Sequence, residues 1–277
     1  MSYKTIVVHC DANEKVGARL AVATELAERF HSTLVAVHAR PPLELPSFDV
    51  TIASQPLYDA YERQADADQK NAREAFEDAT KGKHVSTEWR VVDGFTDEVM
   101  ATNARYADLV VVGQAYAEEF GPAPDDLPES IALSSGRPVL VVPYTGAPTR
   151  PGKTVMLCWN ASRESALAAT EALPFLKAAD RVIVLIVDPH KSPNGHGPEP
   201  GADVATWLAR HGIKATVHRE VAMDTAVGEV ILSRAADLGV DLIVMGVYGH
   251  SRMREFVLGG ASRTLLNSMT VPVLMVH

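Results

Sequence analysis

Cysteine is scarce, with two residues, Cys10 and Cys158, in a chain of 277. That is too few for a disulfide framework and agrees with a reducing compartment. Both thiols are expected near strand ends as small apolar residues. No dense Lys/Arg block occurs and the net charge is -9, so phosphate backbones and anionic lipid heads are repelled. Nucleic acid and membrane partners are therefore not expected. No apolar run approaches the roughly 20 residues needed to span a bilayer. The opening MSYKTIVVHCDANE lacks the long apolar region of a secretory signal, and the expected location is cytoplasmic.

Several catalytic signatures are also missing. There is no GxxxxGK[ST] loop with its Lys and its Mg-binding hydroxyl, so a motor-type ATPase is not expected. GHSRM carries Met253 where a GxSxG elbow requires glycine. In DPHKSPNGHGPEPG, Pro200 stands where a GxGxxG fingerprint needs its last glycine, and a Pro-rich loop is the wrong context for it. His190 and His196 lie in the same stretch, but no spacing completes a set of three or four ligands. A solvated loop is the expectation there, with no metal site and no catalytic residue.

What is present is a duplication. KTIVVHCDANEKVGARLAVA begins at Lys4, and KTVMLCWNASRESALAATEA begins 149 positions later at Lys153, without a gap between them in the comparison. YADLVVVG ending at Gly113 matches GVDLIVMG ending at Gly246, and RPVLVVP ending at Pro143 matches VPVLMVH ending at His277. The order of segments is kept while the offset shrinks, so the first half carries extra residues, around 41 to 81. Two copies of this length indicate a domain duplication rather than a solenoid. PYTGAPTRPG, 143 to 152, has the composition of a linker. The expected division is a domain over 1–144, a linker over 145–152 and a domain over 153–277. With 47% hydrophobic and 22% charged residues, each half can bury its own core.

Within each half, short β-branched runs alternate with amphipathic stretches, five strands to a half. The runs near 5–9, 109–112 and 242–245 are almost wholly apolar, as for strands covered on both faces of a parallel sheet. Helices are predicted over 14–31, 56–80, 95–106, 162–178, 199–211 and 224–238. This alternation predicts an α/β fold of two tandem, doubly wound, five-stranded parallel sheets. Ligands in such sheets bind beyond the carboxyl ends of the strands, near the switch point.

Three stretches follow those strand ends. In CWNASRES, Ser162 suits a helix N-cap, and Asn160 suits either the turn or a ligand in the crevice. The matching residue in the first half is Asp11. In GVYGHSRMREFVLGG, Gly246, Gly249, Gly259 and Gly260 let backbone N–H groups approach an anion without a Cβ in the way. The helical run ASRTLLNSM behind them adds oriented donors and partial positive charge. The same glycines also suit a turn for steric reasons alone.

DLIVMGVYGHSRMREFVLGG followed by a helix and VPVLMV resembles the universal stress protein family, whose nucleotide loop reads GxxG, nine residues, then G and Ser or Thr. The similarity also covers the start of each repeat, so it spans both halves. It implies Rossmann-like sheets of the adenine nucleotide alpha hydrolase type, with the last strands, 138–142 and 272–276, pairing into an intrachain pseudo-dimer. The family's phosphate-binding glycines fall on Gly246, Gly249 and Gly259. Gly260 stands where a hydroxyl is expected, with Ser262 nearby to supply an oxygen. Asn160 replaces the Asp of nucleotide-binding members, Val187 falls on the position whose backbone reads adenine, and Met245 and Ala261 flank the loop. The resemblance implies a regulatory protein that binds an adenine nucleotide, ATP with Mg, in its second half, with at most slow hydrolysis. Protein partners are not specified, and a homodimer is compatible with it. In the first half, Tyr116 replaces the second glycine, and Glu118, Glu119, Asp125 and Asp126 crowd the loop with charges that repel phosphate. That half is expected to be degenerate as a nucleotide site. The alternative is an interaction or ligand-binding module in which the glycine loop is vestigial.

Overall fold

The structure is a computed structural model, which describes residues 2–43, 55–115, 126–148, 150–191, 195, 197–247 and 260–277. The first half runs β1 (Thr5–His9), α1 (Val16–Phe30), β2 (Thr33–Arg40), α2 (Gln55–Thr80), β3 (Ser86–Asp93), α3 (Thr96–Ala104), β4 (Leu109–Gly113), α4 (Leu127–Ser135) and β5 (Val139–Val142). The second runs β6 (Thr154–Cys158), α5 (Arg163–Glu171), α6 (Leu173–Ala178), β7 (Arg181–Val187), a 3-10 turn (Pro189–Lys191), α7 (Ala202–Arg210), β8 (Ala215–Glu220), α8 (Val227–Asp237), β9 (Leu242–Gly246), α9 (Gly260–Ser268) and β10 (Val273–Val276).

Among the described residues, the strands join one 10-stranded sheet in the order β3-β2-β1-β4-β5-β10-β9-β6-β7-β8. Pairing is parallel within each half. It reverses only at the centre, where β10 meets β5 antiparallel with Leu274 opposite Leu140. The seam forms because VLVV and VLMV are buried at every position. Helices cover both faces, so each strand divides its residues between two cores. Val244 and Leu242 join one with Leu157 and Phe175, while Ile243 and Met245 join the other with Leu265 and Ile231. The outermost strands β3 and β8 are partly exposed along their length, as edge strands with one free side should be.

The repeat has a structural basis that the motif alone did not reveal. The Asp of each DL motif ties down the start of its half. Asp108 Oδ2 accepts from the backbone N–H groups of Lys4 and Thr5 at 2.7 and 3.0 Å. Asp241 accepts from those of Gly152, Lys153 and Thr154 at 3.0, 3.1 and 2.9 Å. Charge-assisted bonds of this kind are stronger than neutral ones, and they fix where each first strand enters the sheet.

Where the halves meet, the rings of Tyr3, Phe30 and Phe175 pack edge-on and tilted with centroids 5.2 to 5.6 Å apart. Tyr3 Oη donates to the carbonyl of Glu171 at 2.7 Å, and Arg29 Nη1 donates to the carbonyl of Pro151 at 2.9 Å. The predicted helix over 162–178 is interrupted at Ala172, because Pro174 in the first turn of α6 has no N–H to continue the ladder. The segment Leu127–Ser135 forms a helix that the sequence pattern had not signalled. The extra residues of the first half appear largely as α2, 26 residues long against 9 for α7.

Candidate functional site

Within the second half, β6 and β9 are neighbours whose following helices, α5 and α9, lie on opposite faces of the sheet. Their carboxyl ends therefore open a crevice, the switch point of a doubly wound sheet. Trp159, Asn160 and Ala161 leave β6 on one side of it, and Gly246 and Val247 leave β9 on the other. α9 connects β9 to the parallel strand β10 and so runs counter to both. Its first turn, Gly260 to Ser262, lies at the same edge of the sheet.

The turn after β6 is built from its own polar side chains. Asn160 Oδ1 accepts from the Ser162 N–H at 3.1 Å, and Ala161 takes a left-handed φ of 57°. Ser162 then caps α5, its Oγ accepting from the Ser165 N–H at 3.1 Å. The capping role expected of Ser162 is therefore present, and Asn160 shapes the turn while remaining exposed.

Gly246 has an internal reason to be glycine. A Cβ there would stand 2.4 Å from the carbonyl carbon of Glu164, 2.6 Å from the Ser165 nitrogen and 2.7 Å from the Glu164 Cβ. The start of α5 thus presses directly on the end of β9. Glu164 is buried, and its Oε2 has no hydrogen-bond partner among the described residues. Gly260 is the opposite case. It is exposed, and a Cβ added to it would meet none of the described residues within 4 Å. Packing against the described residues demands no glycine there.

The remaining expected site residues are distributed as follows. Met245 is buried in the core at the end of β9, and Val187 ends β7, the strand next to β6. Ala261 is half-buried and Ser262 is buried in the first turn of α9. Gly249 and Gly259 lie outside the described residues. Asn160, Val187, Met245, Gly246 and the start of α9 thus share the carboxyl edge of β7, β6 and β9. His190 lies in the 3-10 turn after β7, and His196 is outside the described residues.

The corresponding edge of the first half is furnished differently. His9 ends β1 and is buried, and burial lowers its pKa to about 4, against the opposing pull of Asp11. The Asp11 carboxyl is pushed up by burial, but the Arg19 guanidinium and His9 outweigh this and hold it below the usual range. Arg19 Nη2 donates to Asp11 Oδ1 at 2.6 Å. Nothing in the sequence pattern had singled out His9 or Arg19. Their signal is the repeat itself, which sets them against Cys158 and Ala168 in the second half. Of the acidic residues expected to crowd this loop, Asp126 is described, beside the first turn of α4, while Tyr116, Glu118, Glu119 and Asp125 lie outside the described residues.

A duplicated α/β domain with parallel sheets, helices on both faces and a switch-point crevice in each half defines a doubly wound α/β class. The chain belongs to the universal stress protein family, whose sequence pattern matches residues 2–143 and again 152–277. A universal stress protein of Synechocystis sp. is 39% identical over 46 residues, a stretch covering 17% of this chain and 16% of that relative's length. Among solved structures, a universal stress protein from Archaeoglobus fulgidus superposes with a TM-score of 0.74 at 16% identity, covering 98% of this chain and 95% of that one. A functionally unknown protein from Pseudomonas aeruginosa PAO1 superposes with a TM-score of 0.58 at 13% identity, over 99% and 92% of the two chains. These two likenesses establish the fold.

Proposed function

We propose that the chain is a regulatory stress protein whose second half binds an adenine nucleotide at the carboxyl edge of β6 and β9. The two expected domains, 1–144 and 153–277, then have separate roles. The observation that carries this reading is Gly260. Gly246 is accounted for by the backbone of α5 packed against it, whereas at Gly260, where α9 begins, no described residue lies within 4 Å of an added Cβ. A helix N-terminus offers free N–H groups and partial positive charge, and the room left at Gly260 by the described residues lets an anion lie beside them. The loop from Gly246 to Gly260, with Gly249 and Gly259, is proposed to wrap the phosphates. The backbone at Val187 and the amide of Asn160 are proposed to face the base and ribose, and Met245 and Ala261 to flank the loop.

Glu164 bears on what accompanies the nucleotide. The acidic side chain of Glu164 starts 2.7 Å from where a Cβ on Gly246 would stand, and negative charge there repels a bare triphosphate, so binding with Mg is proposed over the free anion. The cation would lessen that repulsion when bound, and Ser262 stands near enough in sequence to supply an oxygen. Among the described residues, none at this edge pairs a nucleophile with a base. The role proposed is therefore binding that changes the protein's shape or partners, with cytoplasmic location retained as part of the proposal. A second reading, an interaction module with a vestigial loop, is favoured by Asn160, whose Oδ1 accepts from its own turn.

Calorimetric titration with Mg-ATP separates the two. Gly260→Asp places a carboxylate in open space at a helix start, where it suits the fold but repels phosphate. Saturable binding by the native chain, reduced at least tenfold in the variant at unchanged melting temperature, supports the nucleotide reading. No heat and no thermal stabilisation with excess Mg-ATP would sink it, because a ligand bound to the native state must stabilise it.

A further inference from the structure

The two halves differ most sharply at one position of their first helices. Arg19 of α1 and Ala168 of α5 are separated by the repeat's 149 residues. Arginine is seldom buried without a partner, yet the Arg19 side chain is only 8% exposed. Nη2 donates to Asp11 Oδ1 at 2.6 Å. Nη1 and Cζ lie 2.7 and 3.8 Å from the point where a Cβ on Gly113 would stand. The guanidinium therefore sits between the residues that follow β1 and the last residue of β4, which is the switch-point crevice of the first half. His9 closes the same cluster, its Nδ1 3.5 Å from the other Asp11 oxygen.

We infer that the crevice of the first half is a guanidinium site, occupied by the chain's own Arg19. Each part matches that group. Asp11 supplies the countercharge and an acceptor for a planar fork donor. Gly113 supplies a floor with no Cβ, against which the flat cation fits. Gly113 is thereby explained in a half where Tyr116 has replaced the next glycine of the loop. In the second half the aligned glycine serves another purpose, since the backbone of Glu164 and Ser165 lies on Gly246 and Ala168 brings no cation. Two glycines matched by the repeat thus admit different neighbours, a helix backbone in one half and a side-chain cation in the other. An external cation that takes the place against Asp11 Oδ1 and Gly113 must displace Arg19.

Arg19→Ala, which installs the residue of the second half, tests this by chemical rescue. The variant should melt several degrees below the native chain. Millimolar methylguanidinium should raise its melting temperature saturably, methylammonium should not, and neither should raise that of the native chain, whose site is filled. Equal responses of variant and native chain, or equal rescue by both cations, would overturn the inference. If Arg19→Ala does not fold, Arg19→Met keeps the aliphatic stem, and Gly113→Ala is then introduced into it and into the native chain. The added methyl should lower the melting temperature beside Arg19 and have little effect beside Met; an equal cost in both backgrounds overturns the inference. No nucleotide enters either experiment, so its outcome is independent of whether the second half binds one.

Discussion

Gln114 Nε2 donates a 2.6 Å hydrogen bond to the carbonyl oxygen of Leu266. The donor follows β4 in the first half, and the acceptor lies near the end of α9 in the second. Its Oε1 also accepts from the Tyr144 N–H at 3.3 Å, so one buried amide spans the seam. Gln114→Leu removes both bonds, and a loss of about 1–3 kcal/mol is expected from the buried groups left behind. Urea unfolding should show a lower midpoint with an unchanged slope. An unchanged midpoint would mean that the bridge adds nothing to the union of the halves.

The two glycines that bound the loop should respond in opposite ways. Gly246→Ala forces α5 off the end of β9, a case of overpacking that costs about 1–3 kcal/mol. Gly260→Ser adds a hydroxyl where no described residue stands in the way, so stability should move by no more than about 0.5 kcal/mol. Under the proposed function it should also tighten Mg-ATP binding, since an oxygen is restored beside the phosphates. Thermal melting and calorimetry on the pair decide the matter. A Gly260→Ser variant that folds normally but binds no more tightly would count against the phosphate placement.

Acid should weaken the fold through His9. Its pKa is lowered from 6.5 to about 4, so between those values the unfolded chain takes up a proton that the folded chain refuses. The resulting stability is complete above pH 6.5 and is lost as pH falls towards 4, in total about 3 kcal/mol. Asp11, held below the ordinary carboxylate range, acts in a lower window and does not confuse the profile. His9→Cys, the residue of the second half, should flatten the slope between pH 6.5 and 4. Chemical unfolding across that range measures it, and an equally steep profile in the variant would assign the acid sensitivity elsewhere.

Both thiols should be inert in the native state. Burial pushes Cys10 and Cys158 up to about 12, and the thiolate is the reactive form. Iodoacetamide at pH 8 is expected to label neither residue until denaturant is added, as followed by intact-mass spectrometry. Rapid labelling of either in the native chain would show that its burial is transient.

The sheet was largely legible in the sequence, because central strands buried on both faces leave unbroken runs such as DLVVV and DLIVM. The helix limits were less so. Pro174 interrupts α5 and α6 within an otherwise continuous apolar pattern, and α4 begins among acidic residues that hid its apolar face. The turn at Asn160 and Ser162 was readable because capping is local chemistry. His9 and Arg19 were not, since each looks ordinary in its own segment and gains meaning only when β1, α1 and β4 converge. Nor did the pattern distinguish Gly246 from Gly260, because a glycine's reason lies in its neighbours across space rather than along the chain.

The antiparallel contact between β5 and β10 has a consequence for how such a chain can change. When two identical subunits meet through one edge, any substitution appears on both sides at once, so the surface must remain complementary to itself. Here the partners are encoded separately, and each mutation falls on one side alone. One half thus carries arginine in its crevice while the other has glycine at the start of α9. Joining the two sequences relaxed the demand for symmetry, and the molecule is a pair of unequal sites on an almost symmetrical frame.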